Sequence, residues 1–390
     1  MRIALLHATL VVALLIASLV LPAVAEGQAD SPGPVPGRGG FETLRQPVLG
    51  LAIEWNEDSQ LYRLVSVESE RKTLRVGSLE ECEEALIEEL RSRHGEGRFN
   101  LPLRTIGGAQ FWGDVFWYGD WRIQEHVYTG HFRLLDPADR RVAWGTREAC
   151  RTYFESERVR RKLRLDSSHL VILLHGLGRS RQSMDAMRAG LVEADFAVAA
   201  VGYPSTRQTI AEHADGLTQL LSELDDVERV SFVTHSLGGI VVRATLANDE
   251  APWRQRVELD RVVMLAPPNQ GSELARELAA FSPFRALAGP SAEELTRELE
   301  DIPAPPCPFG IVAASRKSES GLNPFIEGDD DGIVSVAETK LEGAADYLEV
   351  EGLHTFVMTD RKVIAATVRF LDTGKFARAD DKSEQPRRDE

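Results

Sequence analysis

At 390 residues, with 43% hydrophobic and 27% charged side chains, the chain has an ordinary globular composition and length for about two or three domains. Its formal net charge of −16 argues against a nucleic-acid partner and against adhesion to anionic lipid through charge.

The first segment, Met1 to Val24, is apolar, with Arg2 as its N-terminal cation and Ala23-Val24-Ala25 fitting a small-x-small cleavage site. A secretory signal peptide over residues 1–25 is expected. An uncleaved anchor is the alternative, because the segment is nearly long enough to span a bilayer. Residues 26–40 are rich in Pro and Gly, cannot build a core, and read as a disordered linker. Export permits a disulfide, for which Cys82 and Cys150 are the best-placed pair. Three buried thiols, with Cys307 as the third, is the other reading, and the cysteine count leaves both open.

Residues 41–160 read as an α+β region of unknown role. Val48–Trp55 and Leu61–Val67 alternate like strands. Ser78-Leu-Glu-Glu81 is a capping box that opens a helix through Arg91. Trp121–Val127 and His131–Leu135 form a hairpin pattern, turning at Tyr128-Thr-Gly130, and a helix follows over 147–160. Trp112, Phe116, Trp117, Tyr118 and Trp121 crowd one stretch; they read as the core of this region rather than as an aromatic wall for an acyl chain or sugar.

From His169 the pattern changes to buried strands separated by helices, which implies a parallel sheet covered on both faces. The expected strands are His169–His175, Phe196–Gly202, Val227–Thr234, Leu259–Ala266, Pro308–Ala314 and Tyr347–Glu351. Helices are expected near Gln182–Ala194, Thr209–Leu224, Leu237–Asn248, Ser272–Ala280 and Arg361–Leu371. This domain covers 165–372, and 373–390 is a charged, disordered tail.

The chemistry concentrates at Thr234-His-Ser-Leu-Gly238, between a buried strand and a helix. It is a Gly-x-Ser-x-Gly nucleophile elbow in which Thr234 replaces the first glycine. A small β-branched residue ends a strand comfortably, so the departure is tolerable. Upstream, Val171-Ile-Leu-Leu-His-Gly-Leu-Gly178 ends a strand in His-Gly-x-Gly. Such a turn offers one backbone amide to an oxyanion and the residue after the nucleophile offers another, which makes Leu177 and Leu237 the expected donors. Downstream come Asp329-Asp-Asp-Gly332 and, past the last strand, His354, in the chain order serine, acid, histidine.

Asp331 is the expected acid because Gly332 lets the chain turn sharply after it; Asp330 is the runner-up. A calcium loop is disfavoured, since the run lacks EF-hand spacing and a distal glutamate. His175 and His235 flank the oxyanion turn and read as packing residues, while His126, His131 and His213 have no constellation around them.

Taken together, LLHGLGRSRQSM, VGYPS, VTHSLGGIVVR, VVMLAPPNQGSE, GLNPF, DDDGIVSV and HTFVM resemble a serine-dependent α/β-hydrolase of the lipase/esterase type. More narrowly, they resemble poorly characterised lipase-like hydrolases of that fold. The resemblance runs from about His169 to Phe376. It implies an α/β-hydrolase fold, preceded here by the small α+β region. It also implies Ser236 as nucleophile, Asp331 as acid and His354 as base, with neither metal nor organic cofactor. The expected protein is an exported hydrolase cleaving small acyl or lipid-like esters through an acyl-enzyme. An acyltransferase with the same triad, a peptidase or amidase, and a non-catalytic binding protein are the rivals. The expected partner is a small-molecule or lipid ester, with a lipid surface left open and no obligate protein partner. The loop Ala266–Ser272 reads as a proline break before a helix, to which the resemblance adds a part in lining an acyl pocket, and 272–303 is either a lid over the cleft or a packed helix pair.

Overall fold

The computed structural model describes residues 41–43, most of 51–89, 103–104, and 110–376 apart from 128–129, 280–281 and 319. The expected leader, linker and most of the tail lie outside the described residues, as do the side chains of 280–287. Among the described residues no helix is long and apolar enough to cross a membrane.

The chain divides into two compact units, 1–101 and 102–390. In the first, β1 (Glu42–Thr43), β2 (Leu51–Asn56), β3 (Leu61–Ser66) and β4 (Lys72–Gly77) form an antiparallel sheet in that order. Leu51, Leu64 and Cys82 are its buried centre. The capping box is present: Ser78 Oγ accepts from the Glu81 amide at 3.2 Å, and Glu81 accepts from the Ser78 amide at 2.8 Å.

The second unit holds two sheets. The antiparallel one has the order β5 (Leu103–Arg104), β9 (Arg140–Gly145), β8 (Phe132–Leu135), β7 (Trp121–His126), β6 (Trp112–Tyr118). Helix α1 (Arg147–Arg161) packs on it through Cys150 and Phe154. Phe116, Tyr118 and Trp121 surround Phe154 with ring centroids 4.9–6.0 Å away, so these members of the crowded stretch are core, while Trp112 is half-buried and edge-on to His126 at 4.8 Å. The expected region 41–160 is thus split, and its second half joins the larger unit. The physical reason lies at β6. Asp114 donates its amide to the Gly202 carbonyl at 2.8 Å and accepts the Gly202 amide at 2.6 Å, and Trp117 is buried in the core of the neighbouring sheet.

That neighbouring sheet is parallel and six-stranded, with order β11 (Ala197–Val201), β10 (His169–Leu174), β12 (Arg229–His235), β13 (Glu258–Leu265), β14 (Phe309–Ser315), β15 (Asp346–Glu351). Each strand falls within two residues of its expected bounds; the central ones are buried on both faces and read as short apolar runs, while the edge strand β15 is half-buried and alternates. On β10, Leu170, Ile172 and Leu174 face α3 (Ile210–Ser222) and α4 (Leu237–Leu246). Val171 and Leu173 face α2 (Asp185–Glu193) and α7 (Arg361–Thr373) on the other side. This is the two-residue alternation of a pleated strand covered by helices on both sides, the architecture of an α/β-hydrolase. Residues 273–294 form α5 (Glu273–Leu278) and α6 (Ser282–Glu294), the latter kinked at Gly289 (φ 79°) before Pro290. The end of α6 is tied down, with Ser291 donating to the Gln208 carbonyl and Glu294 accepting from the Ile210 amide.

Cys82, Cys150 and Cys307 are free thiols, the first two buried and the third half-buried, which is the second of the two readings that the cysteine count left open. Each of the first two lies in a separate apolar cluster, Cys82 with Leu51 and Leu64, Cys150 with Phe154. Burial pushes the Cys150 and Cys307 thiols up to about 12.

Candidate active site

The buried strand β12 ends at His235, and α4 begins at Leu237. Between them Ser236 has φ 52° and ψ −124°, a region that non-glycine residues enter at a cost of roughly 1–3 kcal/mol. The surroundings enforce it. The Ser236 amide donates to the Leu265 carbonyl at 2.9 Å, which anchors the elbow to β13. A Cβ on Gly238 would sit 2.8 Å from the Leu174 carbonyl oxygen and 2.9 Å from that of His175, so only glycine lets α4 approach β10 this closely. A Cβ on Gly176 would meet Ser236 Cβ at 3.1 Å and His235 Nδ1 at 2.9 Å. Thr234 is fully buried at the strand end, where its small branched side chain fits.

His354 follows β15 and is 5% exposed. Its amide donates to the Asp331 carbonyl at 3.0 Å, and its Nδ1 lies 2.8 Å from Asp331 Oδ2. A carboxylate accepts, so Nδ1 carries the proton and Nε2 is the nitrogen left to act as a base. The other Asp331 oxygen accepts from the amides of Ile333 and Val334, at 3.0 and 2.8 Å. Asp330 points elsewhere. It accepts from the amides of Leu322, Asn323 and Gly332, at 2.9, 3.0 and 2.6 Å, and so folds the 321–332 loop. Burial raises its carboxyl above the usual range, against the pull of those amides.

The histidine loop meets the elbow through His235, whose Nε2 lies 3.0 Å from the His354 carbonyl oxygen; the two rings are 4.7 Å apart. A carbonyl can only accept, so His235 is the Nε2–H tautomer. Its Nδ1 is buried without a partner. Among the described residues the Ser236 hydroxyl makes no hydrogen bond, to His354 or to any other group. Such a link commonly tightens only when substrate is engaged. The amides of Leu177 and Leu237, on the His-Gly-x-Gly turn and at the start of α4, are likewise not taken up within the described residues. The turn itself is held by Gly178 donating to Ser205 Oγ at 2.9 Å and by His175 stacked on Tyr203 at 4.4 Å.

Arg243 carried no signal in the sequence. It is 2% exposed on α4 and donates to the carbonyls of Asn269, Leu299, Ile302 and Pro303, and to Asn269 Oδ1. Burial lowers its guanidinium to about 10, still protonated at neutral pH. It thereby pins the nucleophile helix to the loop after β13 and to residues 299–303. Only the fold reveals this, because its partners are backbone oxygens. Among the described residues no group of three or more His, Cys, Asp or Glu side chains forms a metal site.

The buried histidines beside the elbow make the fold acid-sensitive. Desolvation holds His175 down to about 4 and His235 well below its ordinary value. Between those values and about 6.5 the unfolded chain binds more protons than the folded one, so stability falls as pH drops through that window. The thermal midpoint is expected to be nearly level above pH 7 and to decline from about pH 6.5 towards 4. His175 contributes a loss on the order of 3 kcal/mol. Scanning calorimetry across that range checks this, and a midpoint that rises on acidification contradicts it.

Residues 138–281, less than half of the chain, match the model of a family described as a domain of unknown function, DUF7379. No curated protein matches the chain. Among solved structures, the mature form of the lipase BlEst2 from Bacillus licheniformis is similar at 18% identity. The match covers 53% of this chain and 91% of that one, with a TM-score of 0.43. The product of the gene lin2722 from Listeria innocua is similar at 16% identity over 53% of this chain and 95% of that one, TM-score 0.39. The phospholipase PlaB from Legionella pneumophila is similar at 19% identity over 44% of this chain and 45% of that one, TM-score 0.34. Likenesses of this strength assign no residue a role.

Proposed function

We propose that the protein is an exported serine hydrolase that cleaves carboxylic esters of small acyl or lipid-like type. The observation that carries this reading is the Asp331–His354 pair, held by His235 against the elbow on which Ser236 is strained. In the proposed reaction the Ser236 hydroxyl attacks the ester carbonyl while His354 Nε2 takes its proton. The amides of Leu177 and Leu237 receive the oxyanion, and one such donor is typically worth about 100- to 1,000-fold in rate. His354 then returns the proton to the departing alcohol, leaving an acyl-enzyme that water hydrolyses by the same steps. Asp331 holds the imidazole tautomer and stabilises the imidazolium.

Two further features support the details. Exposed apolar side chains flank the site residues in sequence, Leu353 and Phe356 around His354, and Leu322 and Phe325 on the loop that Asp330 folds. They suit an acyl chain better than a charged substrate. Export rests on the apolar segment over residues 1–25.

The purified protein should react with a fluorophosphonate probe at Ser236 and hydrolyse p-nitrophenyl esters. The dependence on acyl chain length, with and without emulsified lipid, would separate an esterase from a lipase. Folded protein that takes no label at Ser236 and turns over none of these esters would overturn the reading.

A further inference from the structure

The turn that carries Leu177 also carries Arg179, a cation with no counter-charge among the described residues. The Gly176 carbonyl accepts the Arg179 amide at 3.2 Å, and a Cβ on Gly176 would meet Ser236 Cβ at 3.1 Å, so residue 179 stays within one turn of the elbow. Its backbone is fixed from the other side as well. Gln110 Nε2 donates to the Arg179 carbonyl at 2.7 Å, while Gln110 Oε1 accepts from the Thr206 amide at 3.0 Å.

The Arg179 side chain is half-buried, and among the described residues it forms no hydrogen bond, ion pair or ring contact. None of its nitrogens is sealed from solvent. The next arginines along the chain are both paired, Arg181 with Asp139 and Arg188 with Asp120 at 2.6 Å. Burial lowers the Arg179 guanidinium from its ordinary value, and no carboxylate pulls it back up. It stays charged at neutral pH. Desolvation does most to lower His175 and His235, and the Arg179 charge adds to both, which sets it near the two rings that flank Gly176.

A charge drawn partly out of water is normally paired in a folded protein. The planar guanidinium fork matches a carboxylate or a phosphate through two parallel hydrogen bonds. A neutral ester would leave this cation unpaired, and a cationic one would be repelled. The exposed apolar side chains next to His354, Leu353 and Phe356, suit the acyl chain, which leaves the anion to the other half of the ester.

We propose that Arg179 is a specificity-determining residue that selects esters whose alcohol half carries an anionic group, a carboxylate or a phosphate. This rests on the ester-hydrolase reading above. Five esters test it on the full-length protein. The butyrates of 2-hydroxyethyl phosphate and 3-hydroxypropanoate carry the anion on the alcohol half, 2-methoxyethyl butyrate is neutral, butyrylcholine is cationic, and monoethyl succinate carries its anion on the acyl half. The wild type is expected to favour the first two in kcat/KM. Arg179→Gln should lower their kcat/KM relative to the neutral ester by about 10- to 100-fold, chiefly through KM. Arg179→Lys, which keeps the charge, should recover much of that preference. The thermal midpoint of Arg179→Gln should not fall, since the change removes a half-buried charge that has no partner. A larger loss for the phosphate or for the carboxylate ester names the anion, and either supports the assignment. A wild type that prefers the neutral ester, an unchanged preference in Arg179→Gln, or an equal loss for all five overturns it and leaves the hydrolase reading in place. A loss confined to monoethyl succinate overturns it too. No turnover of any of the five overturns the hydrolase reading and this assignment with it.

Discussion

Ser236→Ala is expected to lower ester turnover by about 10⁴-fold or more, since loss of the nucleophile in a serine triad removes most of the catalysis the triad supplies. The thermal midpoint should hardly move, because the hydroxyl makes no hydrogen bond whose loss would cost stability. A companion variant separates backbone from chemistry. Ser236→Gly should be equally inactive yet more stable than Ser236→Ala by about 1 kcal/mol, since φ 52° and ψ −124° suit glycine and strain a residue with a Cβ. Rates from single-turnover assays and midpoints from calorimetry read the two effects independently. An alanine variant that keeps wild-type turnover would remove Ser236 from the mechanism.

Asp331→Asn should lower kcat by about 10⁴-fold. An amide in place of Asp331 Oδ2 presents the wrong partner to His354 Nδ1 and favours the tautomer with its proton on Nε2, where a base is needed. Asp330→Asn, one residue away, should act mainly on stability. Its carboxylate accepts three amides in a fully buried position, and an NH₂ group turned towards them costs about 1–3 kcal/mol. Turnover by the folded fraction should change little. Measured kcat and midpoint for both variants test the contrast. The reverse ranking would transfer the acid role to Asp330.

The two aspartates show what local sequence can and cannot say. That an acid should come from 329–331 followed from chain order, and Gly332 favoured the third of the run. The structure turns Asp331 to His354 and sends Asp330 back to the amides of 322–323, contacts closed by the loop as a whole. Likewise, His235 was readable as a packing residue. Its tautomer and its hold on the His354 carbonyl depend on a residue 119 positions away.

The six parallel strands, their helices and the elbow could be read directly from the chain. Each is set by a short-range pattern: apolar runs, turn glycines and a serine at a strand-to-helix junction. The domain boundary could not be read in this way. Trp112–Tyr118 looks like part of an N-terminal core, yet Asp114 bonds its sheet to Gly202, 88 residues on, and Trp117 is buried in the core of the parallel sheet. The anchoring of Arg243 was equally invisible. Periodicity reports which face of an element is buried, since that follows from the spacing of side chains along one strand or helix. Which groups then meet across that buried face depends on how separate elements pack, and no local window contains that information.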